Sequence, residues 1–232
     1  MFYLLLKELF NRRIAVIGLC MLAISPWHIM LSRWGLDCNF APAFLLFGFY
    51  FFVKGTKKSV YWICSAIMYG IALYAYSITW IVVPLTLLMC GIYIIKVDKK
   101  VSLIYTLVSA LILFVFALPL ILFVLVNNGL IAEISTNFIS VPKLLVMRDS
   151  EVTFKNLISP QAYENFFKVF LKQNDGLIWN STDDFGLFYK LSVPFIILGA
   201  AKIACKAWEK IRSKVFLYEA IIIRFLIILN QD

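Results

Sequence analysis

Charge is scarce in this chain. Asp, Glu, Lys and Arg make up 15% of its 232 residues, whereas a soluble domain carries about a quarter. Histidine is scarcer still: His28 stands alone, with no partners for a metal cluster. Cys20, Cys38, Cys64, Cys90 and Cys205 have neither zinc-site spacing nor the pattern of a disulfide framework. The glycines form no Walker loop and no dinucleotide fingerprint, which argues against an ATP-driven pump. Nor is there an internal repeat, so an inverted-repeat transporter gains no support.

What fills the chain instead is apolar: 62% of it is hydrophobic and 16% aromatic. A chain of this length folded in water still exposes much of its surface, so the composition predicts an all-α integral membrane protein. At about 20 apolar residues to a span, the expectation is about seven transmembrane helices. They fall at 14–31, 40–53, 60–77, 80–95, 102–126, 188–204 and 215–229, of which the second is short and the last ends almost at the C-terminus. Pro84, Pro119 and Pro194 lie inside spans, where kinks are the simplest reading. Tyr76-Ser77-Ile78-Thr79-Trp80 reads as a tight aromatic hairpin at the interface. The expected organisation is an N-terminal bundle of about five helices over 1–126, an external loop over 127–187, and C-terminal helices over 188–232. The first ten residues read as the inner end of a helix that begins upstream, and the chain as an interior piece of a larger membrane protein.

A net charge of +9 would suggest nucleic acid in a soluble protein. Here the basic residues cluster between apolar runs, which is the orientation signal of a multi-pass membrane protein, and nucleic acid is a poor reading. Lys7, Arg12 and Arg13 precede the first span, Lys54, Lys57 and Lys58 follow the second, and Lys96, Lys99 and Lys100 follow the fourth. Lys202, Lys206, Lys210, Arg212 and Lys214 follow the sixth, whereas the short connections on the other side carry only Arg33. The expected placement is the cell membrane, with the N-terminus cytoplasmic and the loop over 127–187 outside. Within that loop Ser159-Pro160 reads as an N-cap followed by proline at the first helical position. Tyr163, Phe166, Phe167, Phe170 and Leu171 then recur at helical spacing, with Lys168 and Lys172 on the other side. Such an amphipathic helix suits the outer interface, aromatic face down; packing against the spans is the equal alternative.

The segment Ser25-Pro-Trp-His-Ile-Met-Leu-Ser-Arg-Trp-Gly-Leu-Asp-Cys-Asn39 sets an Arg, an Asp and the lone His between two apolar runs. Charge is costly at membrane depth, and where it appears between spans it marks a pathway or a site. The segment, followed by Ala41-Pro42 and an aromatic span, resembles the bacterial branch of the protein O-mannosyltransferase and aminoarabinose transferase group. These are integral membrane glycosyltransferases of the GT-C type that use polyprenyl-phosphate sugars. The run Asn174-Asp175-Gly176-Leu-Ile-Trp179-Asn180, with Phe185-Gly186-Leu-Phe-Tyr189 and Pro194, is similar to a patch after that group's large external loop.

The resemblance implies transfer of a sugar from a polyprenyl-phosphate donor to an acceptor hydroxyl on the external face. It implies Asp37 as a catalytic carboxylate, Arg33 and His28 toward the donor phosphate, and Asp175, Trp179, Asn180 and Tyr189 as external-loop candidates. It brings no certain cofactor and leaves room for a divalent cation. The chain departs from the group in one respect: the principal catalytic carboxylate belongs to a first external loop with no counterpart here, so the implied partner is a missing N-terminal portion. The residue types suit the chemistry, because a leaving phosphate needs a cation and Arg offers it a planar fork. An acceptor hydroxyl needs a carboxylate within hydrogen-bonding reach. Arg33 and Asp37 are four apart and, if helical, share a face and pair.

Each of these residues also has a plainer role. Arg33 reaches the outer headgroups, Asp37 caps the helix after Asn39, His28 packs, and Trp27 and Trp34 anchor the interface. Asp175, Asp183 and Asp184 sit on a solvated loop face, and Asn180-Ser181-Thr182 fits a glycosylation sequon. The competing function is a non-catalytic membrane protein, a transporter or an envelope-assembly scaffold.

Overall fold

The computed structural model describes residues 1–35, 37–96, 102–135, 140–144, 159–173, 189 and 192–210. Apart from one short ribbon its regular structure is helical, and the chain is all-α. The N-terminal helices are α1 (Phe2–Leu9), α2 (Arg12–Ala23) and α3 (Pro26–Arg33). A 3-10 turn, Asp37–Asn39, leads into α4 (Phe40–Gly55), α5 (Tyr61–Ala75), α6 (Thr79–Lys96) and α7 (Leu103–Asn127). The ribbon pairs β1 (Ile134–Ser135) antiparallel with β2 (Ser140–Val141). Then come α8 (Pro160–Phe167), a π-helical turn over Lys168–Lys172, and α9 (Ser192–Lys210).

The expected span 14–31 is two helices. Proline disfavours the helical region for the residue before it; Ser25 is extended at ψ 125°, and α2 and α3 meet at a bend of 59°. Upstream, α1 is a helix of its own. Asn11 is extended and its Oδ1 accepts the Ile14 amide at 2.9 Å, so α2 has its own N-cap.

The body of the fold is α4, α5, α6 and α7. Two aromatic rings on α5, seven residues apart, each fill a glycine notch on α4, also seven apart: Tyr69 lies over Gly48 and Trp62 over Gly55. Ser65 Oγ donates to Gly48 O at 2.7 Å at the same contact. Gly70 on α5 receives Phe116 of α7 in the same way. Small residues bring helix backbones close and give dispersion contacts that need no water to drive them. The α5–α6 turn is the tight aromatic hairpin expected. Thr79 Oγ1 donates to Ala72 O (2.8 Å) and Tyr76 O (2.6 Å), and Trp80 Nε1 to Leu73 O (2.8 Å). Carbonyls at the end of α5 are thus met by side chains of the next helix.

Pro84 and Pro119 lie inside α6 and α7 as expected. Tyr74 OH on α5 donates to Phe116 O at 2.7 Å, next to the Val115 carbonyl that Pro119 leaves without an amide. Pro194 differs: it is the third residue of α9, in the first turn, where a missing N–H costs nothing.

Two ends of this bundle are chemically distinct. Lys57 Nζ and Glu8 Oε1 are 2.6 Å apart, so the α1–α2 turn meets the α4–α5 turn. Cys90 and Tyr93 of α6 pack with Leu5, Phe49, Phe52, Val53 and Trp62 near that end. Lys7, Arg12, Arg13, Lys54, Lys57 and Lys58 therefore share one end, and α6 runs back toward it to finish at Lys96. Helix α4 extends 16 residues, about 24 Å, from there to the end that holds Arg33.

At that second end α7 closes in a Schellman motif. Gly129 N donates to Val126 O (3.1 Å) and Leu130 N to Leu125 O (3.0 Å), and Gly129 takes the positive φ of 73° that a side chain disfavours. Asn127 holds the returning chain: its Oδ1 accepts the Leu144 amide at 2.7 Å while its Nδ2 donates to Phe123 O at 2.8 Å. The first part of the 127–187 loop is thereby pinned to α7.

Among the described residues one helix, α7, is by length and apolarity long enough to cross a membrane, and the bent pair α2–α3 passes only when counted together. Helices α4 and α5 have 16 and 15 residues, short of the about 20 a span takes. The lysine turn joins them on one side; on the other, α4 starts at the 3-10 turn and α5 stops at the aromatic turn. The seven-span count thus exceeds what helix length carries among the described residues, and the expected span 215–229 lies outside them.

Candidate functional site

The charged segment at 25–39 is built by Pro26 and Asn39. Proline at the first position of α3 starts the helix, and α3 ends at Arg33, after which Trp34 is extended at ψ 120°. Asn39 then reaches back: its Nδ2 donates to Trp34 O at 2.6 Å and Leu31 O at 2.9 Å. One side-chain amide thereby satisfies carbonyls at the end of α3 and ties it to the start of α4. Asn39 does this instead of capping α4, where it makes no side-chain cap bond.

Arg33 is exposed on the last turn of α3, where its charge also suits the helix dipole, and it has no ion-pair partner among the described residues. Asp37 is not on its helix. The extended Trp34 separates them, and Asp37 opens the 3-10 turn, so the shared helical face expected for the two does not form. His28 is exposed on α3, about 140° around the axis from Arg33. The structure thus puts Arg33, His28 and Asp37 at one end of the fold but on different faces and elements. Among the described residues no group of His, Cys, Asp and Glu is disposed to hold a metal ion.

Of the external-loop candidates, Asp175, Trp179 and Asn180 lie outside the described residues. Tyr189 is described and exposed; its carbonyl accepts Ser192 N (2.7 Å) and Ser192 Oγ (2.6 Å) at the entry to α9. The loop helix starts where expected, with Ser159 Oγ accepting the Ala162 amide at 3.2 Å before Pro160. Tyr163, Phe167 and Leu171 are exposed at four-residue spacing, and Lys168 donates to Glu164 at 2.7 Å on the adjacent strip. That hydrogen bond, then the charge of Lys168, hold the Glu164 carboxyl below its usual range. Both side chains are in solvent, so the pair marks the polar face and adds little stability.

Asn39 and Asn127 are the positioning residues that sequence reading missed. Each acts on carbonyls or amides distant in sequence, and the only signal was an Asn beside a helix end. No family model matches the chain, and comparison with curated proteins and with solved structures finds no significant match. The likeness of the 25–39 segment to polyprenyl-phosphate transferases therefore rests on its residues alone.

Proposed function

We propose that this chain is a multi-pass protein of the cell membrane that acts as a glycosyltransferase, or as part of one. In this reading it moves a sugar from a polyprenyl-phosphate donor to an acceptor hydroxyl on the external face. The observation that carries it is Arg33: an exposed guanidinium, without an ion-pair partner among the described residues, at the end of a bent apolar helix pair and within the segment whose sequence resembles such enzymes. The acceptor oxygen attacks the anomeric carbon, the bond to the phosphate oxygen breaks, and polyprenyl phosphate leaves with the electron pair. A base takes the hydroxyl proton, and Arg33 answers the charge on the departing phosphate. Asp37, or a carboxylate other than those described, is the base.

The apolar surface supports the membrane placement. A soluble core helix is buried, whereas α7 presents Ile104, Leu107, Leu111, Phe114, Val115 and Leu118 outward along one flank, Ile104 at 71% exposure. Five of the seven expected spans follow if α2–α3 cross as one bent span, α4, α5 and α6 cross as short spans in a locally thinned bilayer, and α7 crosses at full length. Collection of the basic turns at one end supports a cytoplasmic N-terminus. In an otherwise cysteine-free chain, a membrane-impermeant thiol reagent applied to intact cells should modify Ser140→Cys and spare Ser59→Cys. The reverse pattern would overturn the orientation.

The test of function is transfer itself. Membranes holding this chain together with its upstream coding region should move label from a polyprenyl-phosphate sugar to an acceptor and release polyprenyl phosphate. Donor that stays intact in those membranes would leave the non-catalytic reading, a transporter or an assembly scaffold.

A further inference from the structure

The basic end of the bundle has an order that orientation alone does not require. Two clusters distant in sequence, Lys7, Arg12 and Arg13 on one side and Lys54, Lys57 and Lys58 on the other, are joined there by the Glu8–Lys57 pair. Glu8 is taken up by Lys57, and Lys54 and Lys58 have no ion-pair partner among the described residues. Lys54 Nζ sits 4.9 Å from the Tyr61 ring centroid and 5.4 Å from that of Tyr50. The rings are themselves fixed: Tyr61 stacks on Phe51 at 6.3 Å, and Tyr50 is buried in the core. An ammonium on a long stem is thereby given one direction, which reduces the entropy lost when it binds an anion.

We propose that this end is a binding site for the phosphodiester headgroup of an anionic phospholipid. Lys54 and Lys58 contact the phosphate, Tyr50 and Tyr61 orient Lys54, and Glu8 weakens the site by occupying Lys57. A lipid is the favoured source because the cations lie beside aromatic rings at the end of an apolar bundle, where a headgroup sits above its own acyl chains. The inference rests on the membrane placement and not on the transfer reaction.

The test uses the full chain in lipid nanodiscs of phosphatidylcholine with and without phosphatidylglycerol, reading the phosphatidylglycerol retained per protein after detergent exchange. The parent should retain it selectively. At about 1 kcal/mol for each lysine near an anionic surface, Lys54→Gln with Lys58→Gln should cut retention about thirtyfold. Lys54→Arg should keep it, and Glu8→Gln should raise it severalfold by releasing Lys57. Should the double variant fold poorly, Lys58→Gln alone should still lower retention about fivefold. The proposal fails if Glu8→Gln lowers retention, if Lys143→Gln at the far end lowers it equally, or if millimolar inorganic phosphate displaces the lipid. A chain that never enters the nanodisc overturns the membrane placement; one that enters without selecting phosphatidylglycerol overturns only the site.

Discussion

Gly48→Ala should destabilise the bundle by about 1–3 kcal/mol, and Gly48→Leu should keep α4 and α5 from pairing. A β-carbon at Gly48 meets three atoms of the Tyr69 ring at 2.8 to 2.9 Å. That ring cannot move aside, because Tyr69 is fully buried and belongs to the cluster with Leu45, Ala72, Leu73, Val82 and Val83. Where lipid replaces water, helix pairing depends on such fits, so a methyl that separates the backbones loses contacts along the whole interface. The measurement is the midpoint of unfolding in mixed micelles. Gly91→Ala is the control: nothing lies within 4 Å of its β-carbon, and removing a helix glycine there should raise the midpoint slightly. Adding Tyr69→Leu to Gly48→Ala should recover part of the loss by removing the obstructing ring. Tyr69→Phe alone should be neutral or stabilising, since the buried hydroxyl has no hydrogen-bond partner among the described residues. If Gly48→Ala behaves like Gly91→Ala, the interlocked glycines and rings do not hold the bundle together.

Local features of this fold were legible in the sequence where the cause lies within a few residues. Ser159-Pro160 starts a helix because a hydroxyl and a missing N–H act on the turn that follows; Asn11 caps α2 through its side-chain oxygen, an equally local signal that the expected span from 14 passed over. The end of the bundle near 126 also follows from local chemistry, with Gly129 closing the helix. The notches at Gly48 and Gly55 were hidden, because the rings that fill them are named only by the register of α4 against α5. Hydropathy passed straight through Ser25-Pro26, since both sides of the break are apolar; the bend comes from backbone sterics, which a composition window does not see. The ribbon strands have two residues each, too few for alternation to register. At the candidate site the residue types were legible and their grouping was not. The helical pairing of Arg33 with Asp37 assumed that the helix continues, and it ends between them.

That break alters what Arg33 variants should show. With no carboxylate paired to it among the described residues, the guanidinium needs no rearrangement to meet a phosphate, so Arg33→Ala should leave insertion and expression near normal while weakening transfer. Losing one charge-assisted contact to the leaving group should cost on the order of 2–4 kcal/mol in the transfer step, or roughly thirtyfold to several-hundredfold in rate. Arg33→Lys should recover part of that, because a point charge reproduces the attraction without the two-pronged geometry. Asn39→Leu separates position from charge. It leaves Arg33 in the chain but removes both bonds from Asn39 Nδ2 to Leu31 O and Trp34 O, which hold the end of α3 against α4. A freed α3 terminus should lower transfer severalfold in kcat with little change in donor KM, whereas Arg33→Ala should raise KM as well. Asp37→Asn keeps size and removes charge, so a strong loss with a shifted pH profile would mark it as the base, and a parental rate would remove it from that role. Arg33→Ala membranes that transfer sugar at the parental rate would remove Arg33 from the reaction and leave it an interface residue.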